Sequence, residues 1–149
     1  MKYLILVRHG EYDRAYHLSS NGREQVVALA EKLKSFVNGS SVIIFTSIAD
    51  RARESADILC SFFGVDYEKH EILWSENDHP ANFLGTLNLV RSNKDRADIL
   101  ILVTHIEYVE DFPSYFTENE LGTKLRSTSV GKGEALVIDC QQKTLTHVC

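Results

Sequence analysis

Three short apolar runs, far apart in the chain, constrain its fold more than any other feature of the sequence. They cover residues 3–7, 42–45 and 99–103. Runs of this length that are rich in β-branched residues and apolar on both faces are typical of buried central strands in a parallel sheet. Segments with helical patterns lie between them, and this alternation of strands and helices predicts an α/β layered fold.

Two helices are predicted in the segments that follow the first two runs. In residues 21–37 the apolar positions recur at helical spacing, with Ser19 or Ser20 available as the N-cap and an Asn-Gly pair as the stop. Residues 50–63 repeat this pattern and end at Gly64.

The second half of the chain adds helices and then changes character. We predict a helix over about residues 80–91, with Pro80 in its first turn, and another from after His105 to about residue 115. Residues 134–139 and 143–148 read as two strands around a polar turn. The predicted fold class is therefore three-layer α/β, with a mostly parallel central sheet, helices on both faces and a C-terminal antiparallel hairpin. No repeat or linker is visible, so residues 1–149 are predicted to form a single domain.

The overall charge argues against some classes of partner. With 21 acidic and 16 basic residues, the chain has a formal net charge of -5 and no long run of Lys or Arg, so neither nucleic acid nor a membrane is an expected partner. The first apolar run is interrupted by Arg8 and His9 and is too short for a signal peptide or a membrane span, so we expect a cytoplasmic location. The three cysteines lack C-x-x-C spacing and are expected to be reduced and non-catalytic.

Basic side chains follow the predicted strands at the points where the strands end. Arg8 and His9 follow the first run, Arg51 comes shortly after the second, and His105 follows the third. In open α/β sheets, ligands bind beyond the carboxyl ends of the strands, so these side chains should converge on one site. Two arginines and two histidines make an anion pocket, and a phosphoryl group suits it best because Arg binds phosphate oxygens bidentately. Other basic side chains are predicted to have structural or surface positions: His17, His70, His147 and Arg53.

Four short motifs occur in order along the chain. They are Arg8-His9-Gly10-Glu11, Leu18-Ser19-x-x-Gly22-x-x-Gln25, Ser47-x-x-x-Arg51-Ala52-x-x-Ser55-Ala56, and the strand that runs into His105. Together they resemble the histidine phosphatase superfamily, whose fold is phosphoglycerate-mutase-like. The third motif is similar to the family's S-x-x-x-R-A-x-x-T-A pattern, with Ser55 in the place of Thr. The resemblance covers nearly the full chain.

The resemblance implies a role for each of these residues. His9 would attack phosphorus to give a phosphohistidine intermediate, which splits one hard displacement into two easier ones. Arg8, Arg51 and His105 would bind the non-bridging oxygens and stabilise their charge. Gly10 would let the backbone pass close to the nucleophile and its phosphate, so it is predicted to be phosphate-binding. Because cationic side chains supply the positive charge, no metal and no other cofactor is predicted.

The sequence offers two candidates for the general acid. Glu76 and Asp78 follow a predicted strand and could reach the pocket from a loop, so both are predicted to be catalytic. Asp78 could instead be the N-cap of a helix ahead of Pro80. Glu11 and Glu107 are close to the site in sequence and could act on the same chemistry or hold the two histidines in place.

Two departures from the family pattern narrow the prediction. Ala15 occupies the position of the Asn in the extended R-H-G-E-x-x-x-N motif, so one phosphate-binding amide is missing. Residues 52–104 leave room for only about one strand and one helix, whereas the mutases of the superfamily carry inserted segments that house a general-acid Glu. The short phosphohistidine phosphatase branch is the nearest match in length. A site with a poor acid suits phosphohistidine, because imidazole leaves readily once it is protonated.

The predicted function is a metal-independent phosphatase that hydrolyses phosphomonoesters or protein phosphohistidine through a phosphohistidine enzyme intermediate. The substrate would be a phosphorylated protein or a small phosphomonoester, with the protein favoured because few residues are available to build a lid. The alternative is a non-catalytic, phosphate-binding regulatory relative of the same fold. Metal-dependent hydrolysis has little support, because no H-x-H, H-E-x-x-H or paired-Asp spacing accompanies the histidines.

Overall fold

The three apolar runs form the centre of one six-stranded sheet in the computed structural model, which describes residues 1–149. In chain order the strands are β1 (Tyr3–Arg8), β2 (Val42–Thr46), β3 (Tyr67–Lys69), β4 (Ile99–Thr104), β5 (Ala135–Asp139) and β6 (Thr144–Val148). Their order across the sheet is β3-β2-β4-β1-β5-β6. The first four strands are parallel, and β5 pairs antiparallel with both β1 and β6. The predicted fold class is confirmed.

Four α-helices flank the sheet. They are α1 (Ser20–Val37), α2 (Asp50–Phe63), α3 (Phe83–Asn93) and α4 (Ile106–Phe116). A short 3-10 helix at Glu71–Leu73 precedes α3, and a π-helical turn at Thr117–Leu121 follows α4. None of these helices combines the length and the apolar character needed to cross a membrane.

The alternation of side chains along β1 divides the core into two layers. Ile5 and Val7 pack with the buried residues of α1 and α2, whereas Leu4 and Leu6 pack on the other face with those of α3 and α4. Every residue of β4 is buried. Because helices cover both faces, the central strands read as continuous apolar runs rather than as alternating patterns.

Local caps set the ends of the helices. Of the two candidate serines, Ser19 caps α1, and α2 ends at Gly64, which has a left-handed φ of 70°. Helix α3 begins later than predicted, because the Asn82 side chain caps it by accepting a hydrogen bond from the Gly85 N–H. Pro80 therefore lies outside the helix, and the expectation that Asp78 could be its cap was wrong.

The strand directions bring four chain segments to one edge of the sheet. The carboxyl ends of β1, β4 and β2 lie side by side, with Arg8 opposite Thr104 and Thr46 opposite Val103. Strand β5 runs the other way, so its start lies at this same edge, where Ala135 is opposite Val7. The loop before β5 therefore reaches the site that the strand ends were predicted to form.

Candidate active site

A cavity of about 810 Å³ opens at the carboxyl ends of β1, β2 and β4. Arg8 and His9 line it from the end of β1, Arg51 from the first turn of α2, and His105 from the position between β4 and α4. The structure thus brings together the four basic side chains that the strand-end pattern singled out. Arg53 does not line the cavity, because a helix turns by about 100° per residue and carries its side chain away from that of Arg51.

His9 is held in one tautomer by its two neighbours. The residue is 5% exposed, its Nδ1 lies 2.9 Å from the carbonyl oxygen of Gly10, and its Nε2 lies 3.3 Å from Nε of Arg51. A carbonyl only accepts and a guanidinium only donates, so Nδ1 carries the proton and Nε2 presents a lone pair. Burial is the main cause that lowers the pKa of His9 to about 4, and the positive charges of Arg51, Arg8 and Lys132 act in the same direction. The ring is therefore neutral at physiological pH.

His105 lies beside His9, and Ser47 holds its ring. The two imidazole centroids are 5.3 Å apart, and Nε2 of His105 is 2.8 Å from the Ser47 hydroxyl oxygen. That oxygen also accepts a hydrogen bond from the Ala49 N–H, and its own proton can be donated to Nε2, in which case Nδ1 of His105 is the nitrogen that donates. Burial, followed by the charges of His9 and Arg51, lowers the pKa of His105 to about 3.

Both arginines are anchored, and one retains an unpaired donor. Arg8 Nη1 donates to the Val130 carbonyl at 2.7 Å, while its buried Nε has no hydrogen-bond partner. The Arg51 side chain, 11% exposed, forms a 3.6 Å ion pair with Glu76 and lies 4.9 Å from the centroid of the Tyr12 ring. A buried donor without a partner is costly, so Arg8 carries an uncompensated N–H while its side chain lines the cavity.

Gly10 does not line the cavity, and its lack of a side chain has a different reason from the one expected. A Cβ atom at Gly10 would lie 2.6 Å from the carbonyl oxygen of Gly22 and 2.9 Å from Leu18 Cδ1. The Gly10 N–H donates to the Ser55 hydroxyl oxygen at 3.1 Å. Gly10 therefore allows the end of β1 to pack against α1, and its carbonyl fixes the tautomer of His9.

Glu11 also lies outside the cavity. Its carboxylate accepts a hydrogen bond from the Asn21 amide, its N–H donates to Gln25, and its carbonyl accepts from Ser19. All of these partners belong to the start of α1 or to its cap. Glu11 therefore secures the entry of this helix, and it makes no hydrogen bond to either histidine of the site.

Four carboxylates line the cavity: Glu76, Asp78 and Glu107 are exposed, whereas the half-buried Asp50 forms an ion pair with Arg53. Glu76 forms the ion pair with Arg51, and Asp78 lies two residues further along the same loop without a hydrogen bond to the basic side chains. Glu107, in the first turn of α4, accepts a 2.8 Å hydrogen bond from Ser75. Both predicted acids thus reach the cavity, whereas Glu107 makes no hydrogen bond to either histidine.

Lys132 lines the cavity and was missed by the sequence analysis. Its Nζ lies 4.7 Å from the centroid of the Tyr12 ring, and this ring lies 5.5 Å from that of His9. Lys132 belongs to the loop before β5, between Gly131 and Gly133. The antiparallel pairing of β5 with β1 brings this loop to the site, and no local motif marks it.

Exposed apolar side chains surround the basic centre. Tyr16, Ile48 and Ile106 line the cavity and are 62%, 39% and 36% exposed. Trp74 also lines it and stacks on His79 with a centroid distance of 4.3 Å. Exposed apolar groups beside a pocket commonly mark contact with a ligand or another protein, so the opening offers contacts beyond those that a phosphoryl group needs.

Comparison with known proteins gives a family and several relatives. The model of the histidine phosphatase superfamily (branch 1) matches residues 4–75. The mitochondrial serine/threonine-protein phosphatase Pgam5 of Drosophila persimilis is 36% identical over 78 residues, which cover 48% of this chain and 26% of that protein. Pgam5 of Drosophila willistoni is 35% identical over 78 residues, with 48% and 25% covered. The chain therefore covers about a quarter of the length of these curated relatives.

Solved structures share the fold over nearly the whole chain. A mycobacterial glucosyl-3-phosphoglycerate phosphatase has a TM-score of 0.64 at 17% identity, over 99% of this chain and 97% of that one. SixA of Agrobacterium tumefaciens, whose assigned activity is that of a phosphohistidine phosphatase, has a TM-score of 0.64 at 14% identity, with 99% and 95% covered. At these identities the likeness shows the fold alone. The family match includes the motifs around His9 and Arg51, and the shared fold extends beyond the matched residues over nearly the whole chain.

Proposed function

We propose that the chain is a metal-independent phosphatase that acts through a phosphohistidine intermediate on His9. The observation that carries this proposal is the state of His9, a buried neutral imidazole whose Nε2 lone pair lies among Arg8, Arg51 and His105. The family and the phosphatase names of its relatives support hydrolytic activity. A phosphoryl group needs positioning and charge stabilisation, and these cationic groups can provide both.

The first step transfers the phosphoryl group to His9. The guanidinium groups of Arg8 and Arg51 and the Nδ1–H of His105 donate to the non-bridging oxygens. Arg51 exchanges its hydrogen bond with His9 Nε2 for one to the phosphate, which frees the lone pair. Nε2 then forms a bond to phosphorus while the bond to the leaving group breaks. The ring becomes positively charged, and the Gly10 carbonyl stabilises it through the bond from Nδ1–H.

The second step releases phosphate. Water attacks phosphorus, the bond between phosphorus and Nε2 breaks, and the lone pair returns to His9. The water loses a proton as phosphate forms, so a nearby base assists this step. Glu76 and Asp78 are the carboxylates we propose for it, because both line the cavity, whereas Glu107 is bonded to Ser75 and Asp50 is paired with Arg53. By microscopic reversibility the same group would protonate the leaving atom in the first step.

The leaving group separates possible substrates. An alkoxide needs a proton donor in the transition state, whereas imidazole, with an ordinary pKa near 6.5, leaves readily once it is protonated. Glu76 is engaged with Arg51 in the ion pair, and Asp78 is exposed and unanchored. We therefore propose protein phosphohistidine ahead of alkyl phosphates. The open cavity with exposed Tyr16, Ile48 and Ile106 at its edge supports a protein substrate over an enclosed metabolite.

A turnover panel tests the proposed function. It compares a phosphohistidine-bearing protein, phosphotyrosine, an aryl phosphate and a small sugar phosphate, for the wild type and for Glu76→Gln and Asp78→Asn. We expect the phosphohistidine and aryl substrates to be hydrolysed, with the sugar phosphate much slower and the rates unaffected by a chelator. Comparable turnover of an alkyl phosphate would contradict the substrate preference. Phosphate binding without turnover of any substrate would support the non-catalytic alternative, and loss of activity with a chelator would contradict metal independence.

The location of the protein is a separate proposal. The sequence favours the cytoplasm, whereas the names of the curated relatives give a mitochondrial location. Fractionation of cells that express the protein from its native gene, followed by detection in the cytoplasmic and organelle fractions, decides between the two. Recovery in the organelle fraction would contradict the cytoplasmic expectation without bearing on the chemistry of the site.

A further inference from the structure

Three side chains of different chemistry meet on the outer hairpin. Glu134 immediately precedes β5, His147 belongs to β6, and Cys149 follows β6. A carboxylate oxygen, an imidazole nitrogen and the thiol sulfur of these residues all lie within 4.8 Å of one another. None of the three residues lines the active-site cavity. Their chemistry can therefore be considered independently of the proposed phosphatase function.

The register of the two strands holds these three residues together. Ala135 is paired with Val148, and the same register continued by one residue sets Glu134 opposite Cys149. Side chains alternate along a strand, so His147 and Cys149, two residues apart, point to the same face. His147 lies within β6, and Glu134 and Cys149 are directly adjacent to the paired strands, so the sheet limits how far the three residues can move apart.

Hydrogen bonds hold one oxygen of the Glu134 carboxylate and leave its other oxygen and the Cys149 thiol free to bind a metal ion. Oε1 of Glu134 accepts from the Gly131 N–H at 2.7 Å and lies 2.8 Å from Nε2 of His147. The Gly131 bond is of the kind that commonly orients a ligating carboxylate, whereas the bond between Glu134 and His147 would be replaced by bonds to the ion. The second oxygen of Glu134 makes no side-chain hydrogen bond, and the thiol of Cys149 makes none. Cys149 is exposed, so an ion can reach the cluster from solvent.

We propose that Glu134, His147 and Cys149 bind a divalent transition-metal ion, with Zn²⁺ as the best match. Zn²⁺ takes nitrogen, oxygen and sulfur ligands at about 2.0–2.3 Å in a tetrahedral arrangement, which sets the ligand atoms about 3.4 Å apart. The 2.8 Å contact between Glu134 and His147 and the 4.8 Å limit for the cluster bracket this value. Small rotations of these side chains therefore suffice. Mg²⁺ and Ca²⁺ fit poorly because they prefer oxygen ligands.

A bound ion would join the ends of β5 and β6 close to the active site without touching the reacting groups. The Gly133 N–H donates to the carbonyl oxygens of both Arg8 and His9 at 3.1 Å, and Glu134 comes next in the chain. The same loop carries Lys132 into the cavity. An ion at Glu134 would therefore stabilise the backbone that supports this wall of the cavity.

Titration of the metal-free chain with Co²⁺ tests the proposal, because Co²⁺ accepts the ligands of Zn²⁺ and its bond to a thiolate gives charge-transfer absorption in the near ultraviolet. We expect this band to saturate at one equivalent and to disappear when Zn²⁺ displaces Co²⁺. Cys149→Ser should abolish the band, and His147→Gln should weaken binding by about tenfold or more. Cys140→Ser is the matched control, since this half-buried thiol lies outside the cluster, and it should retain the band.

The absence of a charge-transfer band with Co²⁺ in excess would overturn the proposal, and so would a band that persists in Cys149→Ser. Thermal unfolding of each variant without metal verifies that it is folded, which the exposure of Cys149 favours. We also expect Zn²⁺ to raise the unfolding temperature of the wild type but not that of Cys149→Ser. Because these measurements are optical and thermal, they do not depend on whether the chain hydrolyses phosphate.

Discussion

Acidification should destabilise the folded protein through its two buried histidines. The size of this loss of folding free energy can be worked out for His9. Burial lowers the pKa of His9 from 6.5 to about 4. A tenfold difference in proton affinity corresponds to about 1.4 kcal/mol, so this lowering corresponds to about 3 kcal/mol of folding free energy. The unfolded chain binds the proton more tightly than the folded one. The stability is therefore fully present above pH 6.5 and is lost as the pH falls towards about 4. His105, with a pKa of about 3, acts in the same direction and extends the loss to lower pH.

Urea unfolding of the wild type and of His9→Gln, from above pH 6.5 to below pH 4, measures this effect. The variant removes the titrating group, and the difference between the two proteins cancels the carboxylates that titrate in the same range. We expect this difference in the free energy of unfolding to change by about 3 kcal/mol across the range. A difference between wild type and His9→Gln that does not vary with pH would refute the reasoning.

Three further substitutions test how the site is built. Ser47→Ala removes the hydroxyl that holds His105, and we expect about 1–3 kcal/mol less stability in urea unfolding together with a lower kcat; an unchanged kcat would show that this bond does not position the ring. Gly22→Ala places a Cβ atom 2.0 Å from the carbonyl oxygen of Glu11, so thermal unfolding should reveal a loss of about 1–3 kcal/mol, and a variant as stable as the wild type would contradict the close packing at this point. Lys132→Met should raise KM for an aryl phosphate, most strongly at low salt, and Lys132→Arg should restore most of the loss; steady-state kinetics that do not distinguish the three proteins would exclude a role for this charge.

The elements that the sequence predicted well are those whose signals are local. Helix α1 begins near its predicted start because the side chain of Ser19 caps it. Helix α2 ends near its predicted end because Gly64 adopts a left-handed backbone conformation. Helix α3 was misplaced at its start because Pro80 and Asn82 are both acceptable start signals and only the structure distinguishes them. Strand β3 has three residues, which is too short for a periodic pattern to define its bounds.

The difference between local and long-range signals also explains which residues of the candidate site could be predicted from the sequence. Arg8 ends β1, and His9 and His105 follow β1 and β4 directly, so a general rule about strand ends was enough to associate them. Lys132 depends on the pairing of β5 with β1 across more than a hundred residues, which no local pattern encodes. The position of Gly10 depends on the close approach of α1 to β1, a packing fact that a short motif does not contain.

Identifying the atom that carries the phosphoryl group during turnover tests the proposed reaction most directly. The chain is mixed with an aryl phosphate and quenched in alkali, which preserves phosphohistidine, and the phosphorylated residue is located by mass spectrometry. We predict an acid-labile phosphoryl group on His9 that is absent in His9→Ala and retained in the control His17→Ala. Hydrolysis at the wild-type rate by His9→Ala, or a phosphoryl group trapped on a different residue, would contradict the assignment of His9 as the nucleophile.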